Sequence, residues 1–417
     1  MESRKTWLEI SEQRLRHNYR VLAAAASAGG RETTILAVIK ANAYGHGATL
    51  CAQVLAAEGA PWLGVTDAEE GAQVRRSLAL NLPSRMAQPR ILVMTGLLPS
   101  DADQIVESKL TPVLWTEVQL TALAQAARAD FARGDGPFPI HLEIDTGMSR
   151  QGAPPGAPLD LFLDRLLAHP ELHLEGVLTH FASAEIASAT ITDHQRTRFE
   201  AALHQIAARG LAPEWIHAGN SSTVDEASCM PWLQEIANRY GARSLARPGL
   251  ALYGYALPIQ GGPNLLRHDL KPVLTWKCRI LAFLEIPAGA TIGYNATFTT
   301  RRPMRLALLP VGYADGLRRE LSATNSRSGG WVTLRGKSVA IVGRISMNLT
   351  TVDVTAIEDA TLEDEITLLG DGITADDHAL LAGAVPYEIL CGLRSHPKLT
   401  HSAFAPPHDR PIPSGQN

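Results

Sequence analysis

The residues best suited to chemistry sit at the ends of short apolar runs. ILAVIK (35–40) closes on Lys40 and is followed by ANAYGHG. A lysine ending an apolar strand presents a partly desolvated amine whose pKa can fall, as a Schiff-base nucleophile requires. The plainer alternative is a surface lysine opening a loop. In HLEIDTGMSRQG (141–152), strand alternation sends His141, Glu143 and Asp145 to one face and Leu142 and Ile144 to the other. Three inward polar side chains are costly unless hydrogen-bonded. Arg150, just past the turn at Gly147, is placed to pair with one of them or with a substrate carboxylate. LEGVLTH ends on His180. HAGNSS (217–222) opens on His217, read as a supporting residue, and places Asn220, Ser221 and Ser222 after a strand. Hydroxyl and backbone N–H groups in that position suit a phosphate. SLARPG (244–249) ends on Arg247, Pro248 and Gly249.

These groups must be held by something regular. Residues 13–26 carry Leu15, Tyr19 and Leu22 at spacings of four and three, one face of an amphipathic helix. Apolar runs then recur at 35–40, 62–66, 91–94, 112–115, 140–145, 174–180, 215–220 and 244–249, separated by Ala- and Leu-rich stretches such as EVQLTALAQAARADFARG. Strand alternating with helix predicts right-handed βαβ units and a parallel sheet. Eight runs over residues 1–255 match a (β/α)8 barrel, with a doubly wound open sheet as the structural alternative. In a barrel the catalytic groups collect at the C-terminal ends of the strands, and the loops after strands seven and eight form the usual phosphate site. Asn220, Ser221 and Gly249 fall there. From residue 256 to 400 the texture changes to strand-like runs between Gly-rich turns, which predicts a separate all-β domain. It contains IGYNATF (292–298), GYADG (312–316) and GRISMN (343–348), with Tyr294 in a turn. The last 17 residues hold four prolines and little that could pack, and read as a disordered tail over 401–417.

Composition narrows the setting. Of 417 residues, 45% are hydrophobic and 19% charged, which suits a large buried core and excludes global disorder and collagen-like repeats. A net charge of −4 offers no basic field for nucleic acid or anionic lipid. No apolar run approaches the ~18 residues of a membrane helix. The N-terminal MESRKTWLEIS has no secretory apolar core, so a cytoplasmic location is expected. Cys51, Cys229, Cys278 and Cys391 are scattered without metal-site spacing, so no metal is expected and the thiols are read as reduced and mostly buried.

Taken together, AVIKANAYGHG, DTGMSR, THFASAE, HAGNSS, RPGLALYG, IGYNATF, GYADG and GRISMN resemble, in order, the motifs of the alanine racemases, fold-type III enzymes that use pyridoxal 5′-phosphate. The resemblance runs from TWLEIS at residue 6 to YEILCGL at 387–393. It implies interconversion of L- and D-alanine for cell-wall peptidoglycan, and a homodimer whose active sites combine one barrel mouth with the partner's β domain. By that match, Lys40 would hold the cofactor covalently and act as one of two bases, with Tyr294 of the other subunit as the opposite base. Tyr44, Ser221, Gly249, Leu250 and Tyr387 match positions that bind the cofactor phosphate. His180 matches the residue beneath the pyridine ring, and Arg247 the residue that hydrogen-bonds its nitrogen. Arg150 and the Met347 backbone match contacts to the substrate carboxylate. Tyr313, Arg319 and Glu185 match the substrate entrance.

Three departures stand out. Glu143 sits where many members carry a carbamylated lysine, and can supply that anion directly, facing Arg150. Ser346 and Asn348 flank Met347 where Cys and Asp are more usual, which leaves a broader amino-acid racemase as the alternative. RSHPK replaces a more usual Arg-Val-Pro-Arg near the C-terminus. Decarboxylases of the same fold type place a carboxylate at the pyridine nitrogen, which Arg247 argues against, although Cys391 could stand for their catalytic cysteine. Single-domain relatives of the barrel lack a β domain.

Overall fold

The computed structural model describes residues 5–400 apart from Gly29 and Ser84, so the expected tail lies outside the described residues. Eight parallel strands close into a barrel: β2 (Thr33–Val38), β3 (Trp62–Val65), β4 (Arg90–Val93), β5 (Thr111–Leu114), β6 (Phe138–Glu143), β7 (Leu172–Thr179), β8 (Trp215–Ala218) and β9 (Arg243–Ala246). Closure is made by β2 against β9, with Thr33 opposite Ser244. Each strand falls on one of the eight apolar runs, and the open-sheet alternative is excluded by that last pairing.

Helices alternate with the strands where the sequence supplies both a stripe and its ends. The helix Glu12–Ala26 buries Leu15, Tyr19 and Leu22, and Ser11 caps it through the Arg14 N–H. The helix Glu117–Arg133 starts with a reciprocal cap between Thr116 and Gln119 and stops at Gly134, whose φ of 90° a residue with a Cβ adopts only at a cost.

The second domain holds β10 (Leu274–Arg279), β11 (Ala282–Ile286), β12 (Thr291–Ile292), β13 (Phe298–Thr299), β14 (Met304–Leu309), β15 (Trp331–Leu334), β16 (Lys337–Ala340), β17 (Thr350–Asp353), β18 (Glu365–Leu369) and β19 (Pro397–Thr400). Its largest sheet runs β16-β15-β18-β10-β1-β19, where β1 is Thr6–Ser11. The first strand, expected within the barrel unit 1–255, is therefore hydrogen-bonded into the other domain, with Thr6 opposite Cys278 and Leu8 opposite Pro397. Locally TWLEIS followed by a helix is indistinguishable from a βα unit, and only pairing with chain some 270 residues away assigns it. The expected separate C-terminal β domain is present and is β-rich. It carries two helices, Ala375–Ala382, capped by Thr374 and ended at Gly383, and Pro386–Cys391. The second helix returns Tyr387 to the barrel.

Candidate active site at the barrel mouth

Lys40 follows β2 by two residues and opens an unusual turn. Ala41, Asn42, Ala43 and Tyr44 all have φ between 52° and 55°, a left-handed turn built without glycine. Such a conformation costs roughly 1–2 kcal/mol per residue, so it needs outside support. Thr66 Oγ1 accepts from the Ala41 N–H at 3.2 Å. One Glu70 oxygen accepts from the Asn42 N–H at 2.7 Å and the other from the Thr66 N–H at 2.8 Å. Beyond the turn, His46 Nδ1 lies 3.0 Å from both the Ala43 and Tyr44 carbonyls. Thr66 and Glu70 were not singled out from the sequence, because Glu70 three residues after the capping Asp67 looks like ordinary helix-start chemistry.

The Lys40 amine is half-buried. Burial lowers its pKa, the charges of Arg150 and Arg247 lower it further, and Glu143 and Cys391 pull weakly the other way. An amine so placed keeps more of its neutral, nucleophilic form near neutral pH.

Around it the expected cofactor residues converge. The Tyr44 ring packs against Tyr253 and Tyr387 at centroid distances of 5.1 and 5.9 Å. Ser221 Oγ accepts from the Gly249 and Ala251 N–H groups at 3.0 and 3.1 Å, joining the segments after β8 and β9. Leu250 begins the 3-10 turn Leu250–Tyr253 that follows. Asn220 is engaged differently from the others: its side-chain oxygen caps the Ser222 and Thr223 N–H groups at 3.0 and 3.3 Å. At Gly249 a Cβ would stand 2.2 Å from the Tyr44 hydroxyl. Gly249→Ala will therefore push Tyr44 aside, at about 1–3 kcal/mol for the overpacking. Thermal denaturation and titration with pyridoxal phosphate should show a modest loss of stability and a marked loss of affinity. Unchanged affinity would remove Tyr44 and Gly249 from the site.

Arg247 lies just past β9 and is 2% exposed. Its Nη2 donates to the Thr179 carbonyl at 2.7 Å and lies 3.3 Å from His180 Nδ1, and its Nη1 donates to His217 Nδ1 at 3.1 Å. Its Nε is buried and, among the described residues, has no hydrogen-bond partner. Burial pushes the guanidinium pKa down to about 10, against the pull of Glu143, so it stays a cation at neutral pH. Burial and then the charges of Arg247, Arg150 and Lys40 push His180 down to about 3, leaving it a neutral ring.

The second cluster departs from expectation. Glu143 is buried, and its carboxylate accepts a hydrogen bond from Gln151 Nε2, which also donates to the Met94 carbonyl at 3.0 Å. The expected pair with Arg150 is not made. Asp145 Oδ1 accepts from the Gly147 and Ser149 N–H groups at 2.9 and 3.0 Å, Ser149 has a φ of 56°, and the turn so closed leaves Arg150 exposed while its neighbour Gln151 takes the inward place. Burial raises the Glu143 pKa, opposed by Gln151, Arg247 and Arg150. Its charge acts on the mouth as a whole rather than through one ion pair.

Removing that charge has a determinate sign. Glu143 raises the Lys40 pKa, so Glu143→Gln will lower it. In cofactor-free protein, Lys40 should then react with an amine-acylating reagent at lower pH than in the parent. Added bicarbonate should leave the parent's turnover unchanged, since the anion is already part of the chain. An unshifted labelling curve would make Glu143 a bystander.

Tyr294, Tyr313 and Met347 lie elsewhere, on the β domain, 64%, 45% and 56% exposed. Gly293 and Asn295, at φ 75° and 62°, set the Tyr294 turn. The Tyr313 and Ala314 N–H groups donate to the Ser346 and Met347 carbonyls at 3.1 and 3.0 Å, joining GYADG to GRISMN. Arg319 is exposed nearby in chain, and Glu185 Oε1 accepts from Ser222 Oγ at 3.4 Å. Among the described residues, no side-chain hydrogen bond or ion pair links Tyr294 to the barrel mouth within one chain.

The fold and this mouth define a class: a two-domain β/α-barrel enzyme with a desolvated lysine and an arginine poised to donate from Nε. The comparisons narrow the class to a family. The profile described as "Alanine racemase, N-terminal domain" matches residues 10–257, and that for "Alanine racemase, C-terminal domain" matches 273–400. The chain is 37% identical over 408 residues to the alanine racemase of Syntrophobacter fumaroxidans, covering 96% of this chain and 98% of that one. Among solved structures it resembles the alanine racemase of Streptomyces coelicolor A3(2), with a TM-score of 0.82 at 30% identity, covering 95% and 98% of the two chains. It also resembles the alanine racemase of Bartonella henselae with covalently bound pyridoxal phosphate, at 0.76 and 26%, covering 95% and 100%. The protein belongs to the alanine racemase family. Among the described residues, no helix is long and apolar enough to cross a membrane.

Proposed function

We propose that the protein interconverts L- and D-alanine with pyridoxal 5′-phosphate held by Lys40, supplying D-alanine for cell-wall peptidoglycan from the cytoplasm. The observation that carries this reading is the buried Arg247 Nε with no partner, in the same barrel mouth as a desolvated lysine. An N–H so placed suits a ring nitrogen, and Gly249, lacking a Cβ, admits the Tyr44 hydroxyl against its backbone, a donor of the kind a phosphate takes, so the residues present fit the cofactor. Tyr44, Ser221, Gly249, Leu250 and Tyr387 would hold its phosphate, His180 its ring face and Arg247 its nitrogen.

The chemistry the cofactor supplies when bound is electron withdrawal from the substrate Cα, which acidifies its hydrogen. Everything else falls to the chain. Arg247 at about 10 remains a donor and keeps its proton, so it would leave a bound ring nitrogen unprotonated and electron withdrawal moderate. Lys40 exchanges the α-proton on one face. Tyr294, supplied by a second copy of the chain, exchanges it on the other. A phenol needs a cationic neighbour to accept a proton near neutral pH, the role given to Arg150, which with the Met347 backbone also receives the substrate carboxylate. The exposure of Tyr294, Tyr313 and Met347 on one chain supports a homodimer in which each covers the partner's mouth.

The test is D/L interconversion by the cofactor-loaded protein on a panel of amino acids. Alanine should dominate. Comparable rates on bulkier or basic amino acids would favour a broad-specificity racemase, and absence of racemisation across the panel would sink the proposal.

A further inference from the structure

Below the mouth, polar groups form an unbroken line through the barrel interior. Arg247 Nη1 donates to His217 Nδ1 at 3.1 Å, His217 Nε2 lies 2.9 Å from His141 Nδ1, and His141 Nε2 lies 3.3 Å from Glu175 Oε2. The other Glu175 oxygen accepts from Arg90 Nη1, at the start of β4, and Arg90 Nη2 donates to Thr111 Oγ1 at 2.9 Å. His141 and His217 are fully buried and Glu175 is 5% exposed. The slot for the first imidazole is built by a missing side chain: a Cβ on Gly176 would stand 2.6 Å from His141 ring atoms.

Donor and acceptor chemistry gives the line one direction. A guanidinium has no acceptor, so His217 Nδ1 must be bare. Burial, then the charges of Arg247 and His141, hold His217 well below the ordinary imidazole range, so it is neutral with its one proton on Nε2. That proton points at His141 Nδ1, which must in turn be bare. Burial keeps His141 neutral too, against the opposing pull of Glu175, and its proton therefore sits on Nε2. The line ends on a carboxylate, which can only accept. Burial works to raise the Glu175 pKa, but the hydrogen bonds from His141 and Arg90 prevail and keep it ionised. The reverse direction would set an imidazole N–H against the Arg247 N–H and leave Glu175 without its His141 donor.

We propose that Glu175, near the N-terminal end of β7, is a positioning residue: as the acceptor that ends the line it imposes, together with the Arg247 donor at the other end, one set of tautomers on His141 and His217, and so holds Arg247 with Nε as its free donor. Nη1 is held by His217 and Nη2 by Thr179 and His180, so the guanidinium cannot turn without breaking the line. What Nε donates to rests on the function proposed above. The tautomers do not, being a property of the protein alone.

The experiment is nitrogen NMR of 15N-histidine-labelled protein, free of cofactor and then loaded with pyridoxal phosphate, alongside titration of that cofactor. Both imidazoles should be neutral with protonated Nε2 and bare Nδ1. Glu175→Gln retains an acceptor oxygen and should retain this pattern. Glu175→Met, close in volume but without an acceptor, orphans the His141 Nε2 proton and sets its cost against the direction imposed by Arg247, so it should mix the tautomers and raise the dissociation constant for pyridoxal phosphate by about 5- to 150-fold, the worth of one buried unsatisfied donor. Arg90→Met leaves the carboxylate and should leave the tautomers unchanged. A proton on Nδ1 of either ring in the parent protein would overturn the proposal, as would a methionine variant with unaltered tautomers and affinity. Should the methionine variant not fold, the parent spectrum still decides. A shift caused by Arg90→Met alone would overturn the assignment to Glu175. Correct tautomers in a protein that racemises nothing would instead sink the proposed function and leave this inference standing.

Discussion

Lys40→Ala will abolish racemisation and with it the covalent attachment of pyridoxal phosphate. Two losses coincide at one atom, the nucleophile and one of the two proposed bases. A positioned base alone is worth about 10²–10⁴-fold, so residual turnover should fall below detection. The setting justifies the size of the effect. Lys40 is the half-buried amine of the mouth, its pKa lowered by burial and by Arg150 and Arg247, and its turn is held against left-handed strain by Thr66 and Glu70. Borohydride treatment of the loaded parent should fix the cofactor to a peptide containing Lys40, with a visible absorption band that the variant lacks. A variant that still yields a borohydride-reducible adduct at full occupancy would show that another lysine carries the cofactor. Because alanine removes the long side chain without altering the backbone contacts of the turn, stability should change little, which separates a chemical loss from misfolding.

Tyr294→Phe is expected to leave the cofactor bound while racemisation falls by about 10²–10⁴-fold in both directions. Exchange of the α-hydrogen with solvent should fall unequally for the two enantiomers, since Lys40 still serves one face. Equal retention of exchange for both would reduce Tyr294 to a structural aromatic. Its exposure on the β domain leads to a second expectation. If each mouth is completed by another copy, mixing inactive Lys40→Ala with inactive Tyr294→Phe protein will regenerate some activity. Hybrid dimers then hold one mouth with an intact lysine facing an intact tyrosine. No recovery, with subunit exchange verified, would count against a shared site.

How far the site could be read in advance depended on the range of the interactions involved. Lys40, His180 and Arg247 were found because each closes an apolar run, and barrel strands deliver their C-terminal ends to one place, while His217 was read only as a supporting residue that opens HAGNSS. Glu143 was found by strand parity, but its partner was not: whether Arg150 or Gln151 turns inward depends on how Asp145 closes the intervening turn. Glu175 was legible only as part of an apolar strand, with nothing to mark it as the end of a line passing through three other strands.

By itself the sequence determined the eight strands and their helices, the position of Lys40 just past the end of its strand and the change of architecture near residue 255. All of these follow from periodicity, capping and turn chemistry within a few residues, where neighbours in the chain are neighbours in space. Tertiary structure alone decided that β1 belongs to the far sheet, that Tyr387 returns to the mouth on a short helix, and that four residues without glycine hold a left-handed turn. The same holds for the buried line from Arg247 to Glu175. In each case the decisive bond joins residues tens to hundreds of positions apart. Only the closed barrel brings those donors and acceptors within reach, and burial then makes every unpaired one costly.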